Sequence, residues 1–268
     1  MSVAPGPIPS EPVPAEPVAA GTGPSFPPLL RGRVVKPGLD PFETAAAAAA
    51  LGEAPGQIFH GGDRETLRVA ATLAPEVALQ RALAMLFAAG AALNDALGTL
   101  APPEVGVAHV WPDGVKVNGA WCGALRVATD ARDPSATPDW RVVGFALALR
   151  LPEGVDPGET PEITALAEEG CSELPPQRLV ESWSRHLLSW IHRWEEDGPR
   201  PLFDAWLARA EGRGREVAVR HQGALRRGTF LGLSEAGDMT LKTAAGVETL
   251  PLLPALDRPR AWPPEAPS

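Results

Sequence analysis

Residues 109–125, HVWPDGVKVNGAWCGAL, bring several chemically useful side chains into one short stretch. Asp113 supplies a carboxylate, Lys116 an ammonium group and Cys122 a thiol. A thiol is a nucleophile only when its surroundings favour the thiolate, and the neighbours Trp121 and Gly123 carry no charge that would lower its pKa. The chemistry open to this stretch is therefore that of a carboxylate and an ammonium group.

Turn signals place these groups on a predicted β-hairpin. The expected pieces are a strand over 105–111, a turn over 112–114, a strand over 115–118 and a return strand over 120–128. Asn118-Gly119 is the strongest hairpin signal in the chain. Residues 140–151 are apolar enough for a central strand of the same sheet.

The sequence contains no motif with the residue spacing of a metal site or of a phosphate-binding loop. The five histidines show no metal-site spacing with Cys, Asp or Glu, and His186 and His192 are six residues apart, so they do not share a helix face. No zinc site is expected. The chain also has no Walker-type phosphate loop.

Composition excludes several classes of protein. The 268 residues include 24 basic and 33 acidic side chains, and a net charge of -9 argues against nucleic-acid binding, which needs a basic face. Only Lys36, Lys116 and Lys242 are lysines. Two separated cysteines favour a reducing cytoplasm. The N-terminus lacks the features of a secretory signal, and the apolar run 82–93 is too short to span a membrane, so we expect a soluble cytoplasmic protein.

The chain divides by composition into four parts. Residues 1–25 and 257–268 are Pro-rich tails that cannot bury enough apolar surface to offset chain entropy, which predicts disorder. Residues 26–210 contain the helices and strands of one large domain. Residues 211–256 alternate short strands with Gly turns, which is typical of a small β-barrel or sandwich-like domain.

The large domain contains five predicted helices and two early strands. The helices are expected over 42–51, 77–100 and 160–170, from 176 onward, and over 201–210, and the strands over 57–60 and 67–73. In the helix that starts at 176, Leu179, Trp183 and Leu187 form an apolar stripe with two further tryptophans. This stripe indicates a core face rather than a ligand cage.

The hairpin 109–125 resembles the central motif of biotin/lipoate protein ligases, in which a strand ends in Trp-Pro-Asn-Asp and the return strand carries a Lys and a Gly. Residues 142–149 resemble the strand that follows this motif in the family, where apolar residues surround the pattern Gly-x-Gly-x-Asn. Residues 164–170 are similar to the Thr-Ser-Leu-x-Glu-x-x-Gly segment. The Trp-rich helices and the terminal strands follow in family order, so the resemblance covers about residues 26–254.

The resemblance implies an α+β fold with a mixed, largely antiparallel sheet and flanking helices, of the class II aminoacyl-tRNA synthetase and biotin ligase type. A small C-terminal SH3-like β-barrel would follow. The implied reaction has two steps: a small carboxylic acid such as biotin or lipoate attacks ATP, and the acyl group then passes to a lysine of a biotinyl- or lipoyl-type acceptor domain. Repulsion between carboxylate and polyphosphate calls for fixed positive charge and Mg²⁺.

The resemblance also assigns roles to individual residues. Trp111 would wall the ligand pocket, Asp113 would hydrogen-bond the nucleotide or hold the turn, and Gly123 would let the acyl chain approach. Each residue also has a purely structural interpretation, as a core indole, a capping carboxylate and a glycine needed for strand packing.

Three parts of the family pattern are missing. Residues 120–122 stand where the family has its essential lysine, which leaves Lys116 as a candidate catalytic charge or a solvated strand lysine. Ala148 replaces the nucleotide-contacting Asn. Residues 60–66 replace the Gly-Arg-Gly-Arg-x-Gly loop and contain only Arg64, so this segment is either a shortened loop or an ordinary hairpin. Residues 212–215 have the sequence Gly-Arg-Gly-Arg, which matches the start of that loop. Their position, after the last helix of the large domain, predicts an interdomain connector instead.

Three functions stay open. They are an ATP-dependent ligase, a non-catalytic binding module that retains the pocket, and an acyl transferase that uses Cys122 or Cys171. If Lys116 and Arg64 both face solvent, away from Trp111, the binding module is favoured. Without an N-terminal helix-turn-helix, repression of transcription is not expected.

Overall fold

The computed structural model describes residues 23–256, so the predicted disorder of 1–22 and 257–268 lies outside the described residues. A seven-stranded sheet with the order β1-β2-β3-β7-β6-β5-β4 forms the central layer. Its strands are β1 (Arg31–Val34), β2 (Gln57–Gly62), β3 (Thr66–Leu73), β4 (Val107–Val110), β5 (Gly114–Val117), β6 (Ala120–Thr129) and β7 (Arg141–Ala148). β1 pairs in parallel with β2 and the other pairings are antiparallel, which confirms the predicted mixed, largely antiparallel sheet.

Helix α1 (Pro41–Ala50) covers one face of this sheet. It begins where predicted, because the Asp40 carboxylate accepts a hydrogen bond from the Phe42 backbone N–H at 2.7 Å and Pro41 occupies the first turn. Its alanines are small enough to approach the strands closely, and Phe42 packs with Phe59 and Val142. We call this side of the sheet the α1 face.

Four helices cover the opposite face. They are α2 (Leu79–Ala82), α3 (Ala84–Leu100), α4 (Pro176–Asp197) and α5 (Arg200–Leu207). The predicted helix 77–100 is thus two helices that meet at Leu83. The segment Leu79–Leu100 is long and apolar enough to cross a membrane, but 72% of its most apolar window is buried inside the protein.

The apolar stripe of α4 belongs to this core. Leu179, Trp183 and Leu187 are fully buried, and the Trp183 indole N–H donates to the Ala89 carbonyl at 3.0 Å. The interpretation of the stripe as a core face is confirmed. The stripe also shows why α4 needs α3: an amphipathic helix of this length is stabilised mainly by burying its apolar face.

The predicted helix 160–170 is wrong except at its end. Residues 162–164 run extended beside β6, where the Trp121 N–H donates to the Glu162 carbonyl and the Thr164 N–H to the Trp121 carbonyl, both at 2.8 Å. Only a π-helical turn, Ala167–Cys171, follows. Backbone pairing with the sheet outweighs local helix propensity here.

The C-terminal strands form a separate antiparallel sheet with the order β11-β10-β9-β8. The strands are β8 (Glu216–His221), β9 (Ala224–Leu233), β10 (Met239–Thr243) and β11 (Gly246–Leu250), followed by α6 (Leu252–Ala255). Phe230, Leu241 and Leu250 are buried in the same hydrophobic cluster as α3 and α5. Closure of this sheet into an SH3-like barrel stays a prediction.

Candidate functional site

The α1 face carries a floor of small residues. Arg68, Ala146, Ala124 and Gly114 are successive partners on β3, β7, β6 and β5. Directly paired residues in antiparallel strands lie on the same face of the sheet, so the three small residues form a smooth strip between Arg68 and β4.

Two arginines border one end of this strip, and both are held by acidic residues. Arg126 donates to the Asp40 carboxylate at 3.1 Å and also pairs with Glu43. Arg68 lies 4.0 Å from the same Asp40 oxygen and 3.5 Å from Asp63. The sequence analysis missed this cluster, although an isolated arginine in each of two apolar strands is a signal that could have indicated it.

Lys116 borders the other end of the strip. Its ammonium nitrogen lies 2.9 Å from a carboxylate oxygen of Glu211 and 5.0 Å from the ring centre of Trp121, its partner on β6. The Lys116 side chain is only 16% exposed. Lys116 is therefore not a freely solvated strand lysine, and its charge lies above the ring of Trp121, within the segment 120–122 that stands where the family has its lysine.

The Trp121 indole also covers part of the strip. A Cβ atom at Gly114 would lie 2.5 Å from the Trp121 ring, so only glycine fits beneath it. The large aromatic ring and the glycine are therefore a matched pair. Within residues 120–122, which stand where the family has its lysine, the strip is covered by this indole ring and carries no charged side chain.

The Trp-Pro-Asp turn lies where the two sheets meet. Trp111 is 3% exposed, precedes a cis Trp111–Pro112 peptide bond, and donates its indole N–H to the Gly237 carbonyl in the C-terminal sheet at 3.1 Å. Asp113 is buried, and its carbonyl accepts from the Leu125 N–H at 2.7 Å. Trp111 and Glu211, the partner of Lys116, both line a cavity of about 360 Å³.

Gly123 lies on β6, paired with Leu147 of β7. A Cβ atom at this position would clash with the carbonyl oxygen of Ala146. The glycine is therefore required for the two strands to pair, whatever ligand the sheet binds.

The interval between β2 and β3 is an ordinary hairpin. Three residues connect the strands, and the Asp63 carboxylate accepts from the backbone N–H groups of Glu65 and Thr66 at 2.9 and 2.7 Å. Burial alone would raise the pKa of Asp63, but these hydrogen bonds and the charge of Arg68 lower it. Arg64 is exposed in this turn and does not line the cavity that contains Trp111.

Neither cysteine has the surroundings of a nucleophile. Cys122 and Cys171 are buried. Burial is the main cause that raises the pKa of both thiols, and the charge of Glu169 raises it further. Both cysteines belong to the main hydrophobic cluster, which agrees with their interpretation as small core residues, and a raised thiol pKa argues against cysteine-dependent acyl transfer.

Within residues 23–256 there is no group of three or more His, Cys, Asp or Glu side chains that could hold a metal ion. A dedicated magnesium site of carboxylates is therefore not formed by the described part of the chain. A Mg²⁺ ion would have to enter with the phosphates of a nucleotide.

The Gly-Arg-Gly-Arg segment 212–215 connects the two sheets, as its position predicted. The Gly214 N–H donates to the Phe230 carbonyl at 2.8 Å, and the Phe230 N–H to the Arg215 carbonyl at 3.0 Å. Just before it, residues 209–211 pair with β4: the His109 N–H donates to the Arg209 carbonyl and the Glu211 N–H to the His109 carbonyl. The connector is thus fixed to both sheets.

Known proteins share both the sequence and the fold. A crystal structure of a biotin protein ligase-like protein of unknown function from Silicibacter sp. TM1040 is 44% identical, covers 86% of this chain and 97% of that one, and has a TM-score of 0.78. The apo structure of biotin protein ligase from Aquifex aeolicus is 15% identical, covers 84% and 97%, and has a TM-score of 0.67, a likeness of fold alone.

A curated relative, the biotin--[acetyl-CoA-carboxylase] ligase of Paracoccus denitrificans, is 28% identical over 180 residues, which is 67% of this chain and 75% of the relative. Residues 26–208 match the model of the biotin/lipoate A/B protein ligase family. The chain belongs to the biotin/lipoate A/B protein ligase family.

Proposed function

We propose that this protein activates a small carboxylic acid with ATP and transfers the acyl group to a lysine of an acceptor protein. The Paracoccus relative is named as a biotin ligase for acetyl-CoA carboxylase, and an Aquifex aeolicus ligase of the same fold is described in complex with biotin and ATP. Biotin with a carboxylase domain is thus the first substrate pair to test, and lipoate with a lipoyl domain the second. An SH3-like closure of the C-terminal sheet and a cytoplasmic location belong to the same proposal.

The position of Lys116 carries this proposal. Neighbouring strands are about 4.8 Å apart, so a lysine on β5, paired with Trp121 on β6, would place its positive charge one strand away from the segment 120–122, where the family has its lysine. Its ammonium group remains over the same part of the α1 face. In the first step a carboxylate oxygen bonds to the α-phosphorus of ATP and pyrophosphate leaves, and a fixed positive charge there stabilises the developing negative charge.

The remaining residues have supporting roles in this proposal. Trp111 and Asp113 hold the turn that precedes Lys116, and Gly123 keeps β6 close to β7 so that the floor is continuous. Arg64 would approach the substrate from the β2–β3 hairpin. In the second step the acceptor lysine bonds to the acyl carbon, and AMP leaves.

A second candidate is a non-catalytic binding module. It is favoured by the ion pair of Lys116 with Glu211, which occupies the lysine with a residue of the connector, and by the three-residue turn that replaces the ligand-closing loop. Such a protein would bind an acid or an acyl-adenylate without turnover.

Acid-dependent exchange of pyrophosphate into ATP separates the two candidates. With biotin, lipoate or octanoate we expect exchange by the wild type and a loss of about 100-fold in Lys116→Met, the order of effect of removing one charge-stabilising group. Lys242→Met, at an exposed lysine of β10, is the matched control and should exchange like the wild type. A ligand-induced rise in melting temperature without exchange would favour the binding module. If the protein shows neither exchange nor a rise in melting temperature, both candidates are contradicted.

A further inference from the structure

A cavity of about 450 Å³ lies on the side of the sheet opposite α1, and we call it the helix-side cavity. It is bordered by the C-terminal part of α3, by α4, by β4 and by the loop between α3 and β4. Its polar lining includes Asn94, Asp95, His186 and Arg209. None of the residues to which a role in adenylation was given above lines this cavity, so it is separate from the site proposed for that reaction.

Hydrogen bonds fix the walls of the helix-side cavity. The Trp190 indole N–H of α4 donates to the Asp95 carboxylate of α3 at 2.8 Å, and the His186 Nδ1 atom lies 4.0 Å from the same oxygen. The Arg209 backbone is held against β4, because its carbonyl accepts from the His109 N–H at 2.9 Å. The cavity is thus formed before any ligand binds, which reduces the ordering cost of binding.

The α3 wall of the cavity is negative. Asp95 uses one carboxylate oxygen for the Trp190 N–H, and its side chain is 37% exposed, so its other oxygen can accept from a ligand. The last carbonyls of a helix carry a partial negative charge, and α3 has no basic residue in its last turn to offset it. A Cβ atom at Gly98, beside these carbonyls, would meet nothing within 4 Å. This wall therefore has both the charge and the open space for an ammonium group.

Arg209 supplies positive charge to the same cavity. Its side chain is exposed, and neither Arg209 nor Asn94 makes a side-chain hydrogen bond or an ion pair among residues 23–256. A guanidinium group and an amide N–H₂ group can both donate to a carboxylate. Asp95 and Arg209 thus line one cavity without pairing with each other, which leaves both charges available to a ligand that carries the opposite two.

We infer that the helix-side cavity binds a small zwitterion, with its ammonium group at Asp95 and the end of α3 and its carboxylate at Arg209 and Asn94. The hydrocarbon part of the ligand lies against the apolar lining residues Pro102, Val105 and Val107. Apolar walls with a few polar groups are typical of ligand pockets. The volume corresponds to about fifteen water molecules at roughly 30 Å³ each, which accommodates an amino acid of about six carbons. Neither ATP nor Lys116 takes part in this binding, which is therefore independent of the proposed function.

Calorimetric titration of the full chain with four compounds of the same chain length tests this inference. Two of them, 6-aminohexanoate and its isomer norleucine, carry both charges, whereas hexanoate and hexylamine carry one charge each. We expect saturable binding of at least one zwitterion, at least tenfold tighter than that of hexanoate and of hexylamine, because a hydrogen bond to a charged group contributes about tenfold or more. The tighter isomer shows whether the two charges of the ligand are adjacent, as in an α-amino acid, or lie at its two ends.

Three variants locate the binding. Asp95→Asn keeps an acceptor for the Trp190 N–H but removes the negative charge, and Arg209→Gln removes the positive charge. Each should weaken binding of the preferred zwitterion at least tenfold. Gly98→Leu should weaken it as strongly by filling the open space, and it should not destabilise α3, because leucine favours a helix more than glycine does.

Three further variants are controls. Asp197→Asn and Arg227→Gln remove the same charges at exposed residues that do not line the cavity, and both should stay within twofold of the wild type. Lys116→Met alters the site proposed for adenylation and should also bind the zwitterion within twofold of the wild type. Far-UV circular dichroism and the melting temperature check that each variant is folded.

Equal affinity for a zwitterion and its singly charged analogues, wild-type affinity in Asp95→Asn or in Arg209→Gln, or no saturable binding of either isomer would overturn the inference. Loss of binding in Lys116→Met would overturn it as well, because the ligand would then occupy the adenylation site. The titrations contain no ATP, so their outcome is independent of the pyrophosphate exchange experiment. A protein that exchanges pyrophosphate but binds neither isomer would keep the proposed function and lose this inference.

Discussion

Two pairs of arginines lie near β3 and β7, and they differ in their partners. Arg68 and Arg126 are bound by Asp40, Glu43 and Asp63. Arg64 and Arg150 have no such partner among the described residues. The first pair joins α1 to the sheet and belongs to the stability of the fold. The second pair is exposed to solvent, so we expect it to contribute little to the stability of the fold.

The largest effect on stability is expected from replacing Asp40, the carboxylate that Arg68 and Arg126 share. Asp40→Ala removes the N-cap of α1, worth about 1 kcal/mol, and leaves Arg68 and Arg126 partly buried without that partner. We expect a loss of about 2–3 kcal/mol in the free energy of unfolding, measured by urea denaturation. Asp40→Asn keeps the cap and should lose about half as much. Wild-type stability of Asp40→Ala would show that the cluster is not structural.

The next effect concerns His109, a histidine whose side chain is almost completely buried. Within residues 23–256 neither ring nitrogen of His109 makes a hydrogen bond of good geometry, and burial lowers its pKa from 6.5 to about 4. The unfolded chain therefore binds this proton below pH 6.5 and the folded chain only below about pH 4. The free energy of unfolding is therefore highest above pH 6.5, and it falls as the pH drops from 6.5 to about 4.

We expect a loss of about 2 kcal/mol between pH 7 and pH 5 from this group. His109→Phe preserves the stacking with Trp206 and should flatten this part of the pH profile. His192→Gln, at an exposed histidine, is the control. An unchanged slope in His109→Phe would assign the acid sensitivity to other groups.

A smaller effect compares one arginine from each pair. Arg126 donates to Asp40 and lies 4.2 Å above the Phe42 ring, so Arg126→Met should lower the free energy of unfolding by about 1 kcal/mol. Thermal denaturation at low and high salt measures it, and the loss should shrink at high salt because screening weakens the ion pair.

The smallest effect is expected at the unpartnered pair. Arg150→Met should change the free energy of unfolding by less than about 0.5 kcal/mol, as is usual for an exposed side chain. A loss as large as that of Arg126→Met in the same denaturation experiment would remove the distinction between the two pairs.

Local sequence signals predicted most of the helices and strands. Asp40-Pro41 marked the start of α1, Asn118-Gly119 the turn between β5 and β6, and the apolar stripe of α4 its buried face. Each signal depends on residues that are close in sequence. The helix expected over 160–170 failed because its backbone pairs with strands more than ten residues away.

The candidate site was less predictable, because it depends on strand register. The strip of small residues and the partners of Arg68 and Arg126 follow from the pairing of β3, β7 and β6, which no local pattern specifies. The pairing of Lys116 with Glu211 joins residues 95 positions apart. The resemblance to the ligases indicated which hairpin to examine, but not where its lysine points.

The attachment of residues 209–211 to β4 has a consequence for self-association. That short pairing covers the edge strand β4 of the seven-stranded sheet. In the described part of the chain, β1 is the edge strand on the other side. β1 is four residues long and carries Arg31 and Arg33. A short, charged edge strand resists pairing with the strands of another molecule, so the seven-stranded sheet is a poor template for aggregation at both of its edges.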